Sequence, residues 1–177
     1  MTKTFTKDDY NSGDGMLTSV WGPSMWHTLH TISFNYPVNP TIKQKKKYFI
    51  FFNSLGNILP CRYCRENLKK NLKCNPLNMN TMKNRKTLSM WVYRLHEIIN
   101  KMLGKKSGLS YNDVRDRYEN FRSRCIKKSR KEIKKTKKES GCTKPLYGNK
   151  SKCVLNIVPK NTKCKTFKID KRCIIRR

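Results

Sequence analysis

Residues 61–64, Cys-Arg-Tyr-Cys, place two thiols at the i, i+3 spacing of one helix face. Pro60 precedes them and ends an apolar stretch, so the pair falls at the predicted start of a helix. The amides of that helix start and the neighbouring arginines would stabilise a thiolate. In a redox dithiol, one sulfur exchanges with an incoming thiol and the other resolves the mixed disulfide. The motif therefore predicts thiol–disulfide chemistry at Cys61 and Cys64.

Two other uses of these cysteines stay open from the motif alone. A structural zinc site needs four ligands, and the chain lacks a second Cys-x-x-Cys pair. Cys74 and His96 would complete a set of four, although their spacing fits no common zinc pattern. A purely structural disulfide across three residues closes a very small loop and stabilises little.

A second group of residues combines flat rings with imidazoles and an amide. Trp26 and His30 are spaced i, i+4 in one predicted helix, and His96 and Asn100 have the same spacing in another. A lone helical histidine or aromatic is most often an ordinary core residue. The convergence of these side chains with many lysines and arginines instead predicts a slot for a planar ring system joined to a pyrophosphate.

Apolar spacing and boundary residues predict five helices that position these groups, with no strand-like alternation. The predicted helices run from about Trp21, with Pro23 in the first turn, to Tyr36; from Thr41 to Leu59; from Cys61 to about Lys73; from about Lys86 to Leu103; and from Ser110 to about Arg122. The fold class is thus expected to be all-α. We expect a flexible arm at residues 1–15, a helical domain at 16–125 and a basic, cysteine-containing tail at 126–177.

Charge and cysteine content narrow the class of protein. The formal net charge is +30, and the tail holds 19 Lys and Arg against 3 acidic residues. Such a surface attracts anionic cofactors, acidic proteins and, non-specifically, nucleic acid; a compositional bias would produce the same counts. Eight cysteines, no apolar signal segment in the first 14 residues and no apolar run of about 20 residues predict a cytoplasmic, non-secreted protein without a membrane span.

The chain resembles the Erv/ALR FAD-linked sulfhydryl oxidases in four blocks that follow the family's order and cover about residues 20–120. The blocks are Trp26 to Thr31 with Tyr36-Pro37, Pro60 to Cys64, Trp91 to Asn100 running into Leu103-Gly104-Lys105, and Val114 to Tyr118. Forms of the family encoded by large cytoplasmic DNA viruses are similar.

The resemblance implies a four-helix bundle with a short fifth helix that binds FAD, usually as a homodimer. Cys61 would receive electrons from protein thiols, and Cys64 would face the isoalloxazine and pass the electrons on to FAD and then O2, giving H2O2. The implied FAD contacts are Trp26, His30, Tyr36, Trp91, His96, Asn100, Lys105 and Tyr118.

Three positions depart from the family pattern. Pro23 stands where relatives often carry Arg, which removes one expected cofactor contact. Glu97 replaces a common Asn and puts a carboxylate near an anionic cofactor. Cys74 resembles half of a structural disulfide, but Tyr111 occupies the region of its usual partner, so we expect Cys74 to be free.

The tail cysteines suggest a relay between substrate and the Cys61–Cys64 pair. A disulfide on a flexible tail would oxidise the substrate thiols and then be restored by the pair, helped by a high effective concentration. The shuttle candidates are Cys142, Cys153, Cys164 and Cys173. The alternative function is a zinc-stabilised basic protein that binds or packages nucleic acid. Bound flavin would favour the oxidase, and bound zinc the alternative.

Overall fold

The computed structural model describes residues 6–126, 141–159, 161–163 and 170–173 of the chain. The helices are α1 (Lys7–Asn11), α2 (Thr18–Phe34), α3 (Ile42–Ile58), α4 (Arg62–Cys74), α5 (Arg85–Met102) and α6 (Tyr111–Glu119), and the strands are β1 (Ser123–Ile126) and β2 (Gly141–Pro145). A single 3-10 turn covers Lys171–Cys173. The chain divides into two compact units, Met1–Gly108 and Leu109–Arg177.

The first unit is built around one apolar core to which α2, α3, α4, α5 and their connections contribute. Its buried members are Leu29, Tyr36, Phe52, Leu55, Leu68, Met82, Leu88, Trp91, Val92 and Leu95. The ring of Phe52 meets that of Trp91 edge-on, with centroids 5.6 Å apart. Since each such side chain contributes about 1.5–3 kcal/mol when fully buried, this core holds the helices that carry the site.

Local sequence signals explain where most of these helices begin. Thr41 and Asn84 cap α3 and α5 through reciprocal side-chain and backbone hydrogen bonds, and Ser110 caps α6 in the same way. Pro60 cannot continue α3 because it lacks an N–H donor. The predicted boundaries of α3, α4 and α5 are confirmed to within about two residues, the usual uncertainty of a helix end.

The start of α2 differs from the prediction. The helix begins at Thr18 rather than near Trp21, so Pro23 lies inside it and not in its first turn. The preceding residue, Leu17, makes no side-chain cap, but the Trp21 indole N–H donates to the Met16 carbonyl at 3.0 Å. This local bond follows no capping pattern and therefore left no sequence signal that we used.

The fold is mostly helical, as predicted, but the expectation that the chain has no strands is wrong. In the second unit, β1 pairs with β2 in antiparallel register, with Ser123 opposite Pro145 and Arg124 opposite Lys144. These strands are four and five residues long, and Ser123, Arg124 and most of β2 are exposed. Their sequences lack the regular apolar alternation that identifies a strand.

The segment predicted as a flexible arm is described from Thr6 onward. It contains α1, whose N-cap Thr6 exchanges hydrogen bonds with Asp9, and Gly15 then forms an isolated antiparallel bridge with Cys61. Among the described residues, no helix combines the length and apolar character needed to cross a bilayer.

Candidate active site

Cys61 and Cys64 form a disulfide at the first turn of α4. Their Cα atoms are 5.1 Å apart, within the usual range for a bridged pair. Cys61 is the N-cap residue in an extended conformation, and its Sγ accepts the Cys64 backbone N–H at 3.1 Å. Both residues are half-buried, so a thiol from solvent can reach the pair. The two cysteines that were predicted from their spacing to act as a pair thus form a disulfide at a helix N-terminus.

An arginine of α4 fixes the turn that leads into this disulfide. The Arg65 side chain donates from Nη1 to the Leu59 carbonyl at 2.6 Å, and its backbone N–H donates to the Cys61 carbonyl at 3.1 Å. The exposed Arg62 guanidinium lies over the Tyr63 ring, 5.2 Å from its centroid. Two cations therefore flank the pair, where they stabilise a thiolate released on reduction.

A cluster of rings joins α2 to α5. His30 is buried, with 3% of its surface exposed, and its Nε2 lies 3.0 Å from Nδ1 of His96, so one imidazole donates a hydrogen bond to the other. Trp26 stacks on His96 with ring centroids 4.0 Å apart and planes inclined by 4°. The structure therefore brings together three of the residues that were predicted to bind FAD.

Burial keeps this cluster uncharged at neutral pH. Desolvation, with smaller contributions from the positive forms of His96 and His27, lowers the pKa of His30 to about 3. Desolvation also lowers the pKa of His96 to about 4, opposed by the Glu97 carboxylate and reinforced by Lys105. Both imidazoles are neutral at pH 7, so half-buried His96 adds no charge at the ring cluster and buried His30 supports it from within the core.

The C-terminal end of α5 forms a cationic mouth, one to two helical turns beyond His96. It encloses a cavity of about 480 Å³ lined by Glu97, Lys101, Gly104, Lys105, Lys106, Ser107 and Gly108. The Lys105 N–H donates to the Asn100 carbonyl at 2.8 Å, and the Asn100 amide donates to Glu97 at 3.0 Å. Glu97, the departure from the family pattern, is thus held by a neighbouring side chain.

Two lysines of this mouth were missed by the sequence analysis. Lys105 was predicted, but Lys101 and Lys106 line the same cavity. The i, i+4 spacing of Lys101 and Lys105 was the available signal. Neutral flat rings beside three lysines suit a molecule that combines planar heterocycles with a pyrophosphate, so the donor set fits FAD.

Three other predicted contacts lie elsewhere. Tyr36 is fully buried in the core, and its hydroxyl donates to the Met82 carbonyl at 2.9 Å. The Trp91 indole N–H donates to the Asn75 carbonyl at 3.0 Å. Tyr118 lies on α6 in the second unit, where burial raises its pKa. Contact of these three aromatic residues with FAD stays a prediction.

The remaining cysteines differ in state. Cys74 is a free, exposed thiol, as expected from the missing partner. Cys153 is free and exposed, Cys173 is free and half-buried, and Cys142 is in a disulfide. Cys164 and the side chain of Cys125 lie outside the described residues. Within the part of the chain that the structure describes, no three His, Cys, Asp or Glu side chains gather as a metal site.

Known proteins share this arrangement. The profile of the Erv1 / Alr family matches residues 23–119. A probable FAD-linked sulfhydryl oxidase of Acanthamoeba polyphaga mimivirus is 36% identical over 91 residues, which cover 51% of this chain and 64% of the relative. An FAD-linked sulfhydryl oxidase of African swine fever virus is 31% identical over 99 residues, which cover 56% of this chain and 80% of the relative.

Solved structures agree. The crystal structure of the FAD binding domain of Erv1 from Saccharomyces cerevisiae has a TM-score of 0.53 and 29% identity, and the match covers 58% of this chain and 94% of that domain. The residues that the family profile matches include the disulfide of α4 and the ring cluster of α2 and α5. The chain belongs to the Erv1 / Alr family.

Proposed function

We propose that this protein is an FAD-linked sulfhydryl oxidase that forms disulfide bonds in protein substrates and passes the electrons to O2. The observation that carries the proposal is the disulfide Cys61–Cys64 at the start of α4, in the same helical unit as a neutral ring cluster and a cationic mouth. The relatives named above carry this activity in their names. The chain spans 64% of the mimivirus relative, so the activity is proposed here from the site together with that likeness.

The cysteines carry out the exchange with substrate. A substrate thiolate attacks Cys61, the Cys61–Cys64 bond breaks, and Cys64 leaves as a thiolate beside the amides of α4 and the guanidinium of Arg65. The second substrate thiol then displaces Cys61, which yields the substrate disulfide and the reduced pair. The net reaction takes two electrons and two protons from the substrate dithiol and, with O2, gives H2O2.

The cofactor is held, in this proposal, by the ring cluster and the cationic mouth. Half-buried Trp26 and His96 would offer ring surface, and buried His30 holds His96 through their hydrogen bond; direct contact of His30 with FAD stays a prediction. Lys105 with Lys101 and Lys106 offers positive charge for the pyrophosphate. Asn100 and its hydrogen bond to Glu97 lie between these two parts on α5. FAD bound there would supply the acceptor through which the two electrons of the cysteine pair reach O2.

The proposal extends to the fold and to the more distant aromatic residues. Helices α2, α3, α4 and α5 would form a four-helix bundle with α6 as a short fifth helix, completing the domain at 16–125. The shared apolar core of α2 to α5 supports the bundle. Tyr36, Trp91 and Tyr118 stay predicted contacts of FAD.

The tail relay is also part of the proposal. The exposed free thiol of Cys153 and the half-buried thiol of Cys173 support a role for tail cysteines, since a relay needs thiols that exchange with solvent. Binding of nucleic acid by the basic tail stays a prediction, because residues 127–140 lie outside the described residues.

Homodimer formation and cytoplasmic location complete the proposal. Large exposed apolar side chains on α3, including Ile50 at 65% exposure, support association of two copies. Sedimentation of the purified protein tests the dimer, and fractionation of expressing cells tests the location.

Oxygen uptake by the purified protein tests the oxidase. We expect flavin to copurify with the chain at about one FAD per chain, and dithiothreitol to drive O2 consumption with formation of H2O2. Cys61→Ser and Cys64→Ser should abolish turnover because the exchange needs both sulfurs. Cys74→Ser is the matched control, since it changes a free, exposed cysteine on the same helix and should leave turnover unchanged. A colourless protein, or full turnover without Cys64, would overturn the proposal.

A further inference from the structure

The segment Asp14–Met16 lies along the residues that lead into the redox pair. The Met16 N–H donates to the Pro60 carbonyl at 2.7 Å, and the Arg62 N–H donates to the Asp14 carbonyl at 3.4 Å. These two bonds enclose the antiparallel bridge between Gly15 and Cys61. We call Asp14–Met16 the strap; its central residue, Gly15, pairs with the backbone of Cys61 as a single β-bridge.

Gly15 is the residue that permits this close pairing. Its φ is +105°, a conformation that side chains disfavour. A Cβ at this position would lie 2.5 Å from the Pro60 carbonyl oxygen and 2.9 Å from the Cys61 Cα, both backbone atoms that cannot turn aside. Any larger residue at position 15 must therefore displace the strap from Cys61.

The strap is anchored at its far end. The Met16 carbonyl accepts the Trp21 indole N–H at 3.0 Å, which ties the strap to α2. The Asp14 carboxylate also raises the pKa of Arg62, as do the Tyr63 side chain and Glu66, so its charge lies near the redox motif. The opposite side of the turn is held by Arg65 on the Leu59 carbonyl. Residues 59–62 are thus fixed from two independent directions.

We propose that the strap is a positioning element that favours the disulfide form of Cys61–Cys64. This inference deepens the proposed function and rests on it, because it concerns the same cysteine pair. In the dithiol form no S–S bond restrains Cys61, so the strap and the hydrogen bonds of Arg65 keep its backbone in the conformation that closes the bond, and the strap is the part that comes from outside α4 and its leading turn. Preorganisation of this kind raises the effective concentration of the two thiols.

Loss of the strap shifts the disulfide–dithiol equilibrium of the pair toward the dithiol for two reasons, which act in the same direction. The dithiol gains conformational freedom at residues 60–62, and water gains access to a thiolate at the start of α4. In equilibration with glutathione, one S–S bond breaks in glutathione disulfide, one forms between Cys61 and Cys64, and the two protons go to two glutathione thiols. We expect loss of the strap to lower this equilibrium constant about five-fold, the effect of one backbone hydrogen bond.

The test is equilibration of the full-length holoprotein with glutathione buffers under argon. Acid quenching, alkylation and mass spectrometry of the peptides that contain Cys61 and Cys64 then give the oxidised fraction. Gly15→Ala should lower the constant about five-fold. Met16→Pro, which removes the donor to Pro60 without adding a Cβ at position 15, should do the same. Gly13→Ala is the matched control, since a Cβ there meets nothing within 4 Å, and it should leave the constant within two-fold of the parent value.

The outcomes separate this inference from the oxidase proposal, because the glutathione constant requires neither oxygen nor turnover. An unchanged constant in Gly15→Ala and Met16→Pro overturns the positioning role even in an active oxidase. An equal shift in Gly13→Ala also overturns it, because the effect would then come from the arm in general. When the far-ultraviolet circular dichroism of Gly15→Ala shows lost helix, Met16→Pro decides the result.

Discussion

Replacing His30 by glutamine should remove an acid-sensitive step in the stability of the first unit. His30 is 3% exposed, and burial lowers its pKa to about 3, whereas an unfolded histidine titrates near 6.5. At pH values between these two pKa values, the His30 imidazole is therefore neutral in the folded state and protonated in the unfolded state. The stability that depends on neutral His30 is fully present above pH 6.5 and is lost progressively as the pH falls toward 3.

The size of the effect follows from linkage. At pH 5 the solution is about 1.5 pH units below the pKa of an unfolded histidine, so protonation stabilises the unfolded chain but not the folded one. This lowers the free energy of unfolding by about 2 kcal/mol through His30 alone. His96, whose pKa is lowered to about 4, adds to the loss in the same direction. Between pH 7.5 and 5 few carboxylates titrate, so this window isolates the histidines.

Guanidinium denaturation of the full chain at pH 7.5 and pH 5.0 measures the difference. His30→Gln keeps a polar group opposite His96 but cannot titrate, so the loss between the two pH values should shrink by about 2 kcal/mol. His27→Gln keeps the buried pair and removes only the smallest of the three causes that lower the pKa of His30, so it should keep most of the parent's loss. An identical loss in His30→Gln and the parent would refute the assignment of the effect to His30.

The remaining predictions concern the core and the cationic mouth. Met82→Ala should lower the free energy of unfolding by about 2–5 kcal/mol, because Met82 is fully buried. Met79→Ala, at an exposed site, should change it by about 0.5 kcal/mol or less. Denaturant titration of both variants checks this difference. The double change of Lys101 and Lys106 to Gln should weaken FAD retention by up to about 30-fold, since each exposed cation contributes at most about 1 kcal/mol, and Lys86→Gln should not weaken it. Fluorescence of released FAD reports the difference, and equal release from all three proteins would contradict it.

Sequence patterns identified the parts of this protein that depend on local signals. Thr41 and Ser110 start helices because each side chain caps a nearby amide, and the capping pattern at Ser110 is legible in the sequence. The redox pair could be predicted from sequence for the same reason, since the spacing of Cys61 and Cys64 alone makes a bridge possible. The resemblance then indicated which rings belong near it.

Features without a capping pattern or an apolar period could not be predicted. The start of α2 has no side-chain cap and is accompanied by a local bond from Trp21 to Met16, whereas the pairing of Gly15 with Cys61 joins positions 46 residues apart. No periodicity marks either contact. The short strands β1 and β2 were missed because their sequences, Ser-Arg-Cys-Ile and Gly-Cys-Thr-Lys-Pro, show no regular apolar alternation.

Anaerobic titration of the holoprotein with a dithiol tests the central claim most directly, because it isolates electron transfer from the cysteine pair to the flavin. The account predicts that flavin absorbance near 450 nm is lost, that this loss requires Cys64, and that it survives in Cys74→Ser. Flavin that stays oxidised in the presence of excess dithiol, or that is reduced equally fast in Cys64→Ser, would contradict the account.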